Sequence, residues 1–225
     1  MKTILYHGSA NIIERPIYGA GKPYNDYGRG FYCTESLEMA KEWSVSPEHD
    51  GYANCYLLDI GDLNVLNLND EKYCILHWLA MLLRHRIFTA SSALAVEAKQ
   101  YILDNFSIDC TDVDVIVGYR ADDSYFSYAQ DFINGTISYR QLKNAMHLGN
   151  LGLQTVLISE EAFNRIEYVG NEFASREGWL QSKERRDNTA RRVYFDIERN
   201  ARQRGDLYIA TIIDEEMTAE DERLR

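Results

Sequence analysis

Between Glu71 and Phe88 the chain is apolar on nearly every face: Tyr73, Ile75, Leu76, Trp78, Leu79, Met81, Leu82 and Leu83 leave no polar stripe. A helix of that kind is buried, so the rest of the chain must supply a core around it. The 225 residues allow this, as one large domain or a domain with an appendage. Apolar residues make up 45% and charged residues 26%, which excludes a disordered, collagenous or coiled-coil protein. With only 3 prolines and 14 glycines, no flexible linker divides the chain.

Around this helix, strands and helices mix irregularly. Strands are expected at Thr3–Tyr6, Gly30–Thr34, Ala53–Ile60, Val65–Leu68, Val113–Tyr119, Leu153–Ser159 and Ile166–Val169. Further helices are expected at Leu37–Ser44, Ala93–Phe106, Ser124–Ile133 and Ser138–Leu148, and Pro16–Gly30 carries turn chemistry almost throughout. No regular βαβα alternation appears and no GxGxxG opens a helix after a strand, which favours α+β over a doubly wound dinucleotide fold. GxxxxGK[ST], HExxH and GxSxG are absent as well.

The four cysteines (Cys33, Cys55, Cys74, Cys110) have no metal-ligand spacing and read as reduced thiols of a cytosolic protein. The chain shows no signal peptide and no apolar run near 18 residues, so the expectation is a soluble, cytoplasmic protein with no membrane partner and no metal.

Polar residues at strand ends are the remaining candidates for chemistry. His7 precedes Gly8, and a glycine there lets a ligand approach the backbone; a lone histidine at such a point also serves structure. Tyr32 follows two glycines in Gly28-Arg29-Gly30-Phe31-Tyr32, where an aromatic is either core or a stacking platform for a flat ligand. Asp122 and Asp123 follow an interior strand and fit a site, a cap on the helix beginning near Ser124, or both. Arg29 and Arg120 are placed to grip a pyrophosphate, or to pair with a neighbouring acid. Trp43, Trp78 and Trp179 read as packing.

Together these words say more. Leu5-Tyr6-His7-Gly8-Ser9, then Gly28-Arg29-Gly30-Phe31-Tyr32-Cys33-Thr34 and a helix containing Ala40, resemble the ADP-ribosyltransferase superfamily, nearest its diphtheria-toxin and poly-ADP-ribose-polymerase branch. Leu153–Ser159 and Ala162–Tyr168 look like that family's final strand pair. More specifically, Gly28–Thr34, Val117–Phe126 and Leu151-Gly152-Leu153-Gln154 resemble a bacterial group catalogued as domain of unknown function 3990.

The resemblance spans roughly residues 3–170. It implies a split, two-sheet NAD-binding fold over residues 1–170, with residues 171–225 as a C-terminal helical extension. It further implies that His7 bonds a ribose hydroxyl, that the Gly8 backbone, beside Ser9, holds the nicotinamide amide, that Gly30 belongs to the NAD-binding set, and that Tyr32 stacks on the nicotinamide ring. NAD would be substrate, and Arg29 and Arg120 would hold its pyrophosphate. Gln154 stands where the family carries its catalytic glutamate and offers no full negative charge to an oxocarbenium-like cation. Either Gln154 serves with weaker catalysis, or Asp122 or Asp123 supplies the charge, or the domain binds without transferring.

Three functions follow. The first is an NAD-dependent mono-ADP-ribosyltransferase acting on an unknown acceptor, as a bacterial toxin or defence effector. The second is a silent NAD or ADP-ribose binding module acting through its C-terminal helices, on which an antitoxin-like protein partner would dock. The third is a nucleic-acid-modifying relative such as an RNA 2′-phosphotransferase. The net charge of −11 repels polyanions overall, but it is unevenly spread: −9 over residues 1–170, +4 over 176–204 and −5 over 205–225. An acidic partner is therefore expected at 176–204 rather than in the cleft.

Overall fold

In a computed structural model of the chain, residues 1–90, 92–121, 123–148 and 152–225 are described, with the side chains of Asp123 and Ser124 excepted. The architecture is α+β, built on two small sheets. The first sheet carries β1 (Lys2–Ser9), β3 (Gly51–Asp59) and β7 (Ile166–Ala174), antiparallel in the order β1-β3-β7. The second carries β2 (Phe31–Cys33), β6 (Leu153–Leu157), β5 (Val115–Tyr119) and β4 (Val65–Asn67), in the order β2-β6-β5-β4 with only β4 and β5 parallel. The two sheets meet at one bridge, where Tyr6 and Thr34 exchange backbone hydrogen bonds of 2.8 and 2.9 Å. Beyond it β1 and β2 diverge, and the space between them is the cleft.

The apolar segment does form the central helix, α2, although it spans Ile75–His85 rather than the whole run. It starts where the amide of the cap residue Cys74 donates to His77 Nδ1 at 3.0 Å. Helix α1 (Leu37–Ser44) and α3 (Ala93–Phe106) are opened by Ser36 and Ser92, whose side chains accept from the amides of Met39 and Ala95. Helices α4 (Asp123–Ile133) and α5 (Tyr139–Ala145) pack on each other and send Tyr125, Tyr128, Phe132 and Leu142, all fully buried, into the main core. A short helix, α6 (Glu160–Asn164), links β6 to β7.

The C-terminal segment departs from the expected appendage. Strand β7 runs through residue 170 to Ala174, and its pairing with β3 reaches Gly51. Helix α7 (Arg176–Asp196) then crosses the molecule and is tied down at both ends. The Arg176 amide donates to Asp50 Oδ1 at 2.7 Å; Tyr194 stacks on Tyr128 with centroids 3.9 Å apart and donates to Asp131 at 2.6 Å. Midway, Arg186 and Glu42 of α1 form an ion pair of 2.8 Å with both side chains nearly buried. Helix α8 (Ile209–Asp214) and the turn after it send Ile209, Ile212, Met217 and Leu224 into the core that surrounds α2. This segment finishes the core, which the short first 170 residues leave open.

All four cysteines are unpaired thiols, as the spacing implied. Among the described residues, no helix is long and apolar enough to cross a membrane.

Candidate functional site

The cleft between the sheets holds a cavity of about 820 Å³. Strand β1 contributes His7 and Gly8 to its wall, β2 contributes Phe31 and Tyr32, and β6 contributes Gln154. Arg120 and Ala121, just beyond β5, also face it, as do Trp43 of α1 and Arg86 at the end of α2.

His7 is fixed from two sides. Its Nδ1 lies 2.7 Å from the Tyr32 carbonyl, and its ring stacks on Phe31 at 4.3 Å. A carbonyl only accepts, so Nδ1 carries the proton and donates. Burial holds the imidazole below its usual pKa, against the opposing pull of that bond. At neutral pH the ring is therefore neutral, and Nε2 is an acceptor ready for a hydroxyl. The Tyr32 hydroxyl donates to the Gly28 carbonyl at 2.7 Å and accepts from the Tyr27 amide at 3.0 Å, which clamps the ring against the loop preceding β2.

Gly8 is explained by packing. A Cβ there would lie 2.1 Å from the Ala40 carbonyl oxygen, so the close approach belongs to α1, and a ligand meets Gly8 only through its backbone. Gly30 is similar: a Cβ would stand 2.8 Å from the Leu157 carbonyl oxygen and 2.6 Å from Val156, closing off the pairing with β6.

Gln154 is 3% exposed and its amide is committed. Its Nε2 donates to Asp26 Oδ2 at 3.0 Å and to the Tyr119 carbonyl at 3.2 Å. Both partners are pure acceptors, which assigns the amide's orientation and leaves Oε1 as the acceptor for a ligand. The Tyr119 carbonyl also accepts from Tyr27 Oη at 2.7 Å and from Trp78 Nε1 at 3.0 Å. Trp78, expected to do nothing but pack, thus also fixes the strand end beside the cavity.

Asp26 is the residue that sequence reasoning missed. It is 6% exposed. Its Oδ1 accepts from Arg86 at 3.0 Å, and its Oδ2 takes the Ala121 amide at 2.8 Å together with Gln154. Burial pushes the carboxyl above the ordinary aspartate value, and the hydrogen bonds from Ala121 and Gln154 and the charges of Arg86 and Arg120 pull it back down. The loop holding Asp26 is rich in turn formers, so an aspartate there already had a local reason and no pattern set it apart.

The other expected residues divide. Arg120 faces the cavity with its guanidinium 4.0 Å over the Trp43 ring. Arg29 does not: it is exposed, outside the lining, and donates to the Gly19 carbonyl at 3.2 Å. Arg86, not expected from the sequence, lines the cavity, and it also covers Phe126 at 4.9 Å. Ser9 lies beyond the wall, donating to the Asn11 carbonyl at 2.6 Å and accepting from Asn54. Asp123 is the first residue of α4, one position before the expected start at Ser124, and its side chain and all of Asp122 lie outside the described residues. No cluster of three metal-ligating side chains exists among the described residues.

Fold and site together define an α+β protein whose two sheets part around one polar-lined cavity. The family model described as Protein of unknown function (DUF3990) matches residues 3–168, and the chain belongs to that family. No curated protein and no solved structure matches it.

Proposed function

We propose that this protein is an NAD-dependent mono-ADP-ribosyltransferase with an ADP-ribosyltransferase-like split fold. The observation that carries the reading is convergence: His7, Tyr32 and Gln154, on three strands of two sheets, face one cavity with a buried carboxylate directly behind Gln154.

Each group has a task in cleaving the nicotinamide–ribose bond. The Tyr32 ring offers a floor for the nicotinamide. His7 Nε2 and Gln154 Oε1 accept hydroxyl protons of the ribose and hold it in place. As the C–N bond breaks, nicotinamide departs neutral with the bonding electron pair and positive charge grows on the ribose. The acceptor's nucleophile then bonds to that carbon and gives up its proton. Gln154 has no charge to offer the cation, but Asp26 does, held by fixed donors in a water-poor setting. Arg86 and Arg120 lie in the same wall for the pyrophosphate.

The test is NAD binding and turnover. Saturating NAD should raise the melting temperature, and labelled NAD should yield labelled product in lysate with release of nicotinamide. Tyr32→Ala should lose both. Binding without nicotinamide release would turn the reading into a silent module; absence of both would end it.

A further inference from the structure

The cavity wall carries more positive charge than a dinucleotide needs. Six cations line it, Arg15, Lys22, Arg86, Arg120, Lys183 and Arg191, against the carboxylates Asp26 and Asp187. Both carboxylates are already beside arginines, Asp26 at 3.0 Å from Arg86 and Asp187 at 3.1 Å from Arg186. Arg15, Lys22, Lys183 and Arg191 take part in no ion pair among the described residues, and all are exposed or half-exposed. These four sit at the mouth. Arg15 and Lys22 belong to the loop before β2; Lys183 and Arg191 lie eight residues apart on α7, on the same face as Asp187. In a protein of net charge −11, that is a localised reversal of sign.

The loop that carries Arg15 and Lys22 also shows rings to solvent. Tyr18 is 54% exposed and Tyr24 67% exposed, alternating along the chain with Arg15 and Lys22. Exposed rings between cations are what an unpaired strand needs: bases stack on the rings while phosphates run along the charges. A duplex keeps its bases stacked inward and offers the rings nothing. An acidic peptide would use the cations and leave the rings idle.

We propose that this mouth, between the residue 10–30 loop and α7, binds single-stranded nucleic acid. The site adjoins the cavity of the proposed transferase, but its binding does not depend on NAD cleavage.

Fluorescence anisotropy with a labelled mixed-sequence 20-nucleotide RNA, in the absence of NAD, tests this. Four phosphate contacts predict a salt slope of about −2.8, roughly a 50-fold loss of affinity between 50 and 200 mM salt. Lys183→Glu with Arg191→Glu should weaken binding more than tenfold at unchanged melting temperature, and Tyr24→Ala about tenfold. The same RNA as a duplex should bind more weakly. No binding at 50 mM salt, equal binding of the duplex, insensitivity to the α7 pair, or full displacement by poly-glutamate of matched charge would each overturn the proposal. Because NAD is left out, failure here leaves the transferase reading standing, and failure of turnover leaves this one standing.

Discussion

At the scale of single residues, the central pair is Gln154 and Asp26. Gln154→Glu would set a second carboxylate where an amide now donates to Asp26 Oδ2 at 3.0 Å. Two carboxylates that close cannot both ionise, and one takes up a proton. The folded protein then binds a proton that the unfolded chain has released, so stability rises as pH falls. The variant should be less stable than wild type by about 1–3 kcal/mol at pH 7. Urea titrations should show the deficit shrinking at about pH 5; a deficit constant with pH would contradict the arrangement. His7 and Tyr32 were legible because each lies in a strand with a glycine close by in sequence. Asp26 was not, since its role comes from Ala121, 95 positions away in sequence, and from Gln154 and Arg86.

At the scale of elements, local signals read well wherever they were complete. Helices α1 and α3 begin and end where expected, because a serine cap stands before each. Helix α7 was legible as helical, but the side by which it packs was not. Only Ala190 and Tyr194 of its 21 residues are buried, so no apolar stripe marks its contact side. Between its tied ends it is held by a polar contact, the Glu42–Arg186 pair, and such a pairing is invisible to periodicity. The tail did carry a signal, the apolar run Leu207–Ile213, which its acidic surroundings obscured. The fit of β1 against α1 gives a direct test. Gly8→Ala puts a methyl 2.1 Å from the Ala40 carbonyl oxygen and 2.9 Å from the Ser44 amide nitrogen, both of them backbone. Overpacking of this kind costs about 1–3 kcal/mol. Chemical denaturation should show that loss; a neutral substitution would mean that α1 docks elsewhere.

At the scale of the molecule, residues 1–170 are expected not to fold as a unit. Their core includes Tyr194, Ile209, Ile212, Met217 and Leu224 from the remainder. Polar ties cross the same boundary: Arg140 with Asp206 at 2.8 Å, Gln141 with the Glu198 carbonyl at 2.6 Å and Tyr101 with the Met217 carbonyl at 2.9 Å. A fragment ending at residue 170 should show no cooperative thermal transition by circular dichroism, and the full chain should melt in a single one. Two separate transitions in the full chain would restore the appendage.

The burial of Leu224, whose carbonyl accepts from the Tyr139 hydroxyl, sets an order in time. During synthesis His7, Tyr32 and Gln154 leave the ribosome before residues 171–225, and the core behind the cleft closes only when that segment has followed. At about 5–20 residues per second, residues 171–225 take roughly 3–11 s to make. For that interval the nascent chain holds every cleft side chain of β1, β2 and β6 without a finished scaffold to aim them. Whatever this cavity binds, the core behind it is not complete until Leu224 has been made.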